Sequence, residues 1–171
     1  MKLTPSVIAL AFAVASASAF AQGGPTDPQI AHIVVTANQV DIDAGKLAES
    51  KGANKDVKAF GKQMVTDHTG VNKQATDLAK KLKVTPEDNP TSQALKKGGQ
   101  ENVAKLKGLS GAAFDKAYIE HEVAYHEQVL DAIDKTLVPN AKNAELKALI
   151  VKVRPAFEAH LQHAKMLQSK L

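Results

Sequence analysis

Apolar residues recur at three- and four-residue intervals in four long segments of the chain, which is the spacing of amphipathic helices. The segments cover residues 28–51, 54–83, 110–137 and 141–169. No segment alternates apolar and polar residues for long enough to indicate a strand. We therefore predict an all-α fold, with Leu78 and Ile133 in its core.

Residues typical of helix ends and turns bound these segments. Asp27 and Asn54 can each cap the helix that follows, and Pro28 suits a first helical position. Pro139 predicts the turn between the last two segments. Pro155 lies inside the last segment and predicts a kink there, because proline removes one backbone hydrogen bond.

The connection between the second and third segments is rich in proline, asparagine and glycine. Asn89-Pro90 and Gly98-Gly99 predict one or two short helices there, around 91–97 and 100–107. Two helical hairpins joined by so long a crossover are typical of a ferritin-like four-helix bundle. We predict this bundle over residues 28–170, after a flexible leader at 22–27.

The N-terminal segment has the features of a signal peptide over residues 1–21. Lys2 precedes an apolar run at 7–15 that is too short to span a bilayer, and small residues end at Ala19-Phe20-Ala21. A lipoprotein anchor needs a cysteine at the cleavage point, and the chain has none. We therefore predict export, to the periplasm if the source is a Gram-negative bacterium, and no transmembrane segment in the mature chain.

Composition excludes several classes of function. Lys and Arg total 22 against 18 Asp and Glu, but Arg154 is the only arginine and the lysines are scattered, so we predict no nucleic-acid partner. The absence of cysteine excludes disulfides, thiolate metal sites and a cysteine nucleophile. No hydrolase, P-loop or Rossmann motif occurs. We therefore expect binding rather than catalysis.

Each predicted helix carries ionisable residues where its apolar face should continue. In chain order these are Asp41, His68, Glu122, His126 and His160, and we call them the polar layer. Burying such groups without partners costs about 1–3 kcal/mol each, so we expect them to satisfy one another, a water or a metal. Imidazole and carboxylate are the usual bundle-core ligands for Zn, Fe, Mn or Cu, which makes a transition metal the candidate cofactor. Asp67 and Tyr118 lie at the edges of these faces and can join the layer.

Three interpretations of the polar layer stay open: a hydrogen-bonded layer that fixes helix register, a transition-metal site, and acid–base catalysis. The Glu-x-x-His pattern of di-iron bundles is missing, because valine lies three residues before both His68 and His126. Counted from the predicted turn at Pro139, His160 is closer in level to Glu122, offset by about 6 Å, than to His126. His32 and His121 are predicted to lie off the apolar faces.

Four short runs resemble the bacterial domain-of-unknown-function family 4142. They are Asp-Ile-Asp-Ala-Gly-Lys-Leu-Ala at 41–48, Met-Val-Thr-Asp-His at 64–68, Phe-Asp-Lys-Ala-Tyr at 114–118 and His-Leu at 160–161. The resemblance covers about residues 27–170 and implies an exported ferritin-like bundle without a settled activity. One departure is Asp41, where the family usually has Glu.

Together these features predict an exported, soluble binding or envelope-stress-associated protein with a buried histidine and carboxylate layer. One alternative is a ferritin-like metalloprotein that handles oxygen or peroxide. The other is a periplasmic interaction module that binds envelope protein partners.

Overall fold

The computed structural model describes residues 23–171, and all regular structure in that range is helical. The predicted signal peptide and its cleavage site lie outside the described residues and stay predictions. In chain order the elements are α1 (Asp27–Lys51), α2 (Lys55–Lys81), α3 (Pro90–Lys107), α4 (Gly111–Ala132), a π-helical turn (Ile133–Leu137), the single turn α5 (Val138–Asn140) and α6 (Ala144–Gln168). None of the helices in this range combines the length and the apolar character that crossing a membrane requires.

Four long helices close a ring around the core. α1 packs against α2, α2 against α6, α6 against α4, and α4 against α1, with the hairpin pairs α1–α2 and α4–α6 in the closest association. α3 packs on the outer side of α1 and touches α4 only slightly. The prediction of an all-α fold is confirmed, and the two predicted hairpins are present.

An aspartate of each hairpin accepts hydrogen bonds from the turn of the other hairpin. Thr26 rather than Asp27 caps α1, in a reciprocal capping box with Gln29, so α1 begins one residue earlier than predicted. The carboxylate of Asp27 instead accepts the backbone N–H groups of residues 142 and 143, both at 2.9 Å. Asp115 near the start of α4 accepts the N–H groups of residues 53 and 54, at 2.9 and 2.7 Å. These carboxylates therefore hold the hairpins in register.

Of the one or two short helices predicted in the crossover, the structure has one, because α3 runs continuously through Gly98 and Gly99. A glycine inside a helix costs about 1 kcal/mol relative to alanine. Packing explains Gly99, because a Cβ added there would lie 2.7 Å from Val40 Cγ2 on α1. The close approach of α3 to α1 therefore requires a residue without a side chain at this point.

The second hairpin turns later than predicted. The π-helical turn and α5 carry the chain through Pro139, and the turn lies at residues 141–143. Pro139 stands in the first turn of α5, where a missing N–H is tolerated. Asn143 then caps α6 by accepting the N–H groups of residues 145 and 146 at 3.0 and 3.1 Å, and α6 continues through Pro155.

Buried apolar side chains form two clusters, one toward each end of the ring. The boundary between them falls between Val40 and Ala44 on α1, Met64 and Ala75 on α2, Ile119 and Tyr125 on α4, and Leu161 and Ala164 on α6. Every residue of the polar layer lies at this boundary or one residue beyond it. The apolar core is therefore divided by a polar middle.

The core prediction holds for Ile133, which is 3% exposed, whereas Leu78 packs against the core with part of its side chain exposed. We expect Ile133→Ala to lower the free energy of unfolding by about 2–5 kcal/mol, because it leaves a cavity in the core. Leu78→Ala should cost less, because its side chain buries less surface. Urea denaturation at one pH measures both values, and equal losses would contradict this difference.

Candidate metal centre

The polar layer lies in the middle of the ring, and its five residues are 0–3% exposed. One ring nitrogen from each of His68, His126 and His160 lies within 4.8 Å of those of the other two. We call these three residues the histidine cluster. Asp41 and Glu122, which we call the carboxylate pair, each place an oxygen within 4.8 Å of the other's and of a ring nitrogen of His126.

The later hairpin turn brings His160 closer in height along the helix axes to His126 than predicted. Counted from Lys142, His126 lies 16 positions before, Glu122 lies 20 positions before and His160 lies 18 positions after, so His160 is about 3 Å in height from each of the other two. The ring centroids of His126 and His160 are 5.6 Å apart. The prediction that His160 lies nearer in height to Glu122 assumed a turn at Pro139, and it does not hold because the helix continues past Pro139.

Asn38 on α1 fixes the protonation of His68. The Asn38 amide nitrogen donates to the carbonyl of Val34 at 2.7 Å, so its oxygen faces Nδ1 of His68 at 2.8 Å. Since that oxygen only accepts, Nδ1 carries the proton and Nε2 has the lone pair. Nε2 is buried and makes no hydrogen bond within residues 23–171.

In each of the other two histidines, too, one ring nitrogen donates a hydrogen bond and the second has no partner in the described part of the chain. His126 donates from Nδ1 to the backbone carbonyl of Glu122 at 3.0 Å. His160 on α6 donates from Nε2 to a carboxylate oxygen of Asp67 on α2 at 2.9 Å. The remaining ring nitrogens, Nε2 of His126 and Nδ1 of His160, are buried and have no hydrogen-bond partner in the described part of the chain.

The histidine cluster can therefore coordinate a metal ion. Each imidazole donates one N–H to an oxygen acceptor and has a free lone pair on the other nitrogen, the arrangement common to metal-bound histidines. Nitrogens bound to one zinc ion at about 2.1 Å in tetrahedral geometry lie about 3.4 Å apart. One ring nitrogen of each histidine already lies within 4.8 Å of those of the other two, and the rings would move to close around an ion.

The carboxylate pair lies beside the proton-bearing edges of two rings. Asp41 Oδ2 is 3.5 Å from Nδ1 of His68, and Glu122 Oε2 is 3.5 Å from Nδ1 of His126. Burial, and secondarily the charge of Glu122, raises the pKa of Asp41 well above 3.8. Burial also raises the pKa of Tyr118, whose ring is fully buried and which Glu122 influences in the same direction. Burial beside Glu122 therefore favours the protonated form of Asp41.

Burial keeps His68 and His126 neutral. It lowers the pKa of His68 from 6.5 to about 2, with the neighbouring rings of His126 and His160 adding to the effect. Burial also lowers the pKa of His126. Lone pairs on these rings are therefore free of protons at neutral pH, which is the form that binds metals.

The remaining histidines lie outside the cluster. His32 is half-buried, 3.7 Å from Asp88, in an open groove of about 1010 Å³ between α1 and α3 that contains no polar-layer residue. His121 stacks on Tyr125 with centroids 5.5 Å apart, and His163 lies edge-on to Phe60 at 5.1 Å. They are separate from the histidine cluster.

Sequence reasoning missed Asn38. Its signal is positional, because Asn38 and His68 lie at equal distances from Ala53 in the turn between their helices, which places them at one level. Asp67, predicted at the edge of the layer, is the partner of His160 and has a side chain 41% exposed. It links the buried histidine cluster to the surface.

The chain belongs to the family described as Domain of unknown function (DUF4142), whose model matches residues 11–167. The resemblance found in the sequence is thereby confirmed over nearly the whole chain. No curated protein and no solved structure matches this chain. The family description names no activity, so an inference about function depends on the site itself.

For metal-free protein in EDTA, we expect the free energy of unfolding to fall by on the order of 1.4 kcal/mol per pH unit below about pH 6. His68 and His126 bind protons only on unfolding, because their folded pKa values are lowered below 6.5. Asp41 releases a proton on unfolding, because its folded pKa is raised. The net result is about one proton bound on unfolding, so acid favours the unfolded state. Urea denaturation between about pH 6 and pH 5 measures this slope.

Two substitutions should change the slope in opposite directions. His68→Gln removes one proton bound on unfolding and flattens the slope, whereas Asp41→Asn removes the proton released on unfolding and steepens it. An identical slope in the wild type and both variants would show that these buried groups do not govern the pH dependence.

Proposed function

We propose that the protein binds one transition-metal dication in the middle of its helical ring, through His68, His126 and His160. The observation that carries this proposal is the set of three buried ring nitrogens without hydrogen-bond partners in the described chain, on rings whose other nitrogens are all engaged. Leaving a buried polar atom unsatisfied costs about 1–3 kcal/mol. A shared ion satisfies all three at once.

A purely structural polar layer explains the observations less well. Hydrogen bonds account for one nitrogen of each ring, which is enough to fix helix register, but they leave the other three nitrogens unsatisfied. A layer selected only for register has no need to bring one ring nitrogen from each of three histidines within 4.8 Å of one another. A metal centre accounts for both sets of nitrogens.

The donor set favours zinc, copper or iron. Imidazole suits these ions, and the chain has no cysteine to supply a thiolate. The carboxylate pair lies on the outer edges of His68 and His126, where its negative charge compensates a dication. In this arrangement Asp41 and Glu122 support the ion from the second layer, and the three histidines are its direct ligands.

The burial of the centre favours binding of the ion over turnover of a large substrate. All five polar-layer residues are at most 3% exposed, so only the ion, protons and small molecules can reach them without helix movement. This favours the predicted binding protein over an interaction module, whose function depends on an exposed surface. The predicted export and periplasmic location, and the ferritin-like metalloprotein as a more specific alternative, belong to this proposal.

We expect protein purified without a histidine tag to bind close to one equivalent of Zn²⁺, Cu²⁺ or Fe²⁺. His126→Gln should weaken binding by more than the roughly 10–100-fold typical of losing a residue that only supports a ligand. His32→Gln is the matched control, because His32 lies in the outer groove and should leave binding unchanged. Elemental analysis and competition with a chromophoric chelator measure stoichiometry and affinity.

Two results would contradict the metal centre. One is folded wild-type protein that binds none of these ions with a dissociation constant in the micromolar range or below. The other is binding that His126→Gln and His32→Gln weaken to the same extent, because this would place the ion elsewhere.

Asp67 gives a second test that leaves the core intact. Asp67→Ala removes the oxygen that accepts the N–H of His160, so the ring loses its orientation and we expect metal affinity to fall about 10–100-fold. Asp77→Ala on the same helix is the control, since Asp77 forms an exposed ion pair with Lys73 that water screens. Equal metal affinity in the two variants, with equal thermal stability, would remove Asp67 from the site.

A further inference from the structure

Five buried side-chain oxygens without hydrogen bonds lie beside the histidine cluster. They are both carboxylate oxygens of Asp41, both of Glu122 and the hydroxyl of Tyr118, and none has a partner within residues 23–171. All three residues are 0% exposed. Burying unsatisfied oxygens is costly, above all on groups that can carry charge, so a further group that binds them stabilises the fold.

The hydroxyl of Tyr118 faces the carboxylate pair. Tyr118 and Glu122 lie four positions apart on α4 and therefore occupy the same face of that helix. Burial raises the pKa of Tyr118, and the nearby charges of Glu122 and Asp41 raise it further. The hydroxyl therefore stays neutral at neutral pH, and its oxygen is available as an uncharged ligand beside two carboxylates.

Two ring N–H groups lie near the carboxylate pair but donate elsewhere. Nδ1 of His68 donates to Asn38, and Nδ1 of His126 donates to the backbone carbonyl of Glu122. Each of these nitrogens is 3.5 Å from the nearest oxygen of the pair. A proton on Asp41 satisfies at most one oxygen of each carboxylate. A cation between the carboxylates satisfies the pair and the hydroxyl together.

The chemistry and spacing of these oxygens suit a hard dication. Carboxylate oxygens are the preferred ligands of Mg²⁺, Ca²⁺ and Mn²⁺, whereas imidazole suits zinc, copper and iron. Neighbouring oxygens around an octahedral ion at about 2.1 Å lie about 3.0 Å apart. An oxygen of Asp41 is already within 4.8 Å of one of Glu122, and rotation of the terminal carboxylate torsions brings them closer.

His121 connects the carboxylate pair to the surface. Its Nδ1 is 3.9 Å from Oε1 of Glu122, and its side chain is 24% exposed. The histidine cluster approaches the surface at a different point, where His160 bonds to Asp67. The carboxylate pair therefore has an approach for a cation that does not pass the three histidines.

We propose that Asp41, Glu122 and Tyr118 form a second cation position, which binds one hard dication such as Mn²⁺ and is separate from the histidine cluster. Two carboxylates balance the charge of one dication. The carboxylate pair can therefore neutralise its own cation or one at the histidine cluster, and we expect the two positions to be filled one at a time. The second position does not depend on an ion at the histidine cluster.

The test titrates Mn²⁺ into metal-free protein, and EPR measures the free ion, whose sharp signal is lost on binding. We expect close to one bound Mn²⁺ per chain. Glu122→Gln removes a charged ligand and should weaken binding by more than about tenfold. Glu120→Gln on the same helix is the matched control, because Glu120 forms an exposed ion pair with Lys116 and should leave binding unchanged.

Two further variants locate the ion. Tyr118→Phe removes only the hydroxyl and should weaken Mn²⁺ binding several-fold, and it replaces Glu122→Gln if that variant does not fold. His160→Gln removes a residue that belongs to the histidine cluster but not to the group around the carboxylate pair. It should leave Mn²⁺ affinity nearly unchanged while it weakens the binding of zinc.

Folded wild-type protein that binds no Mn²⁺, or equal weakening by Glu122→Gln and Glu120→Gln, would overturn the second position. Equal weakening by Glu122→Gln and His160→Gln would also overturn it, because this would indicate a single shared centre. Zinc binding without Mn²⁺ binding would contradict this inference alone. Mn²⁺ binding that survives His160→Gln, in a protein that binds no zinc, copper or iron, would contradict the proposed metal centre alone.

Discussion

The need to satisfy five buried ionisable side chains in the middle of a helical ring is the constraint on which the rest of the structure depends. The polar layer lies where two apolar clusters meet, and each ring helix contributes at least one member. Isolated charges there would cost several kcal/mol each, so the groups stay neutral or share their charges. Burial accordingly lowers the pKa of His68 and His126 and raises that of Asp41. Shifts of both signs within one layer keep the metal-free core close to neutral.

Two of the hydrogen bonds that satisfy the histidine cluster also tie helices together. The bond from His68 to Asn38 joins α2 to α1, and the bond from His160 to Asp67 joins α6 to α2. At the two ends of the ring, Asp27 and Asp115 hold each hairpin's turn against the first helix of the other hairpin. The interactions that fix register therefore also orient the three free nitrogens, and this preorganisation reduces the cost of closing the rings around an ion.

The four ring helices and the polar layer could be predicted because both depend on the period of the apolar pattern. Two other features could not be. The continuous helix α3 depends on the contact of Gly99 with Val40, which only the packed structure shows, whereas Gly98-Gly99 alone favours a break. The orientation of the histidine rings depends on acceptors such as Asn38, an uncharged residue that no ligand pattern singles out. Sequence therefore identified which side chains are buried together, but not which nitrogen of each is free.

The π-helical turn at Ile133–Leu137 explains why the hairpin turns later than predicted, and it also affects where His160 lies in the site. Because the helix continues through it and α5, the hairpin turns at residues 141–143, and this brings His160 to a height between those of Glu122 and His126. The same turn contributes Ile133 and Leu137 to a small apolar crevice that Phe157 also lines. Single π turns inside α-helices are often found at functional sites. In this chain one such turn helps align a ligand with its partners and helps form that crevice, so a helix that ended at Pro139 would lose both.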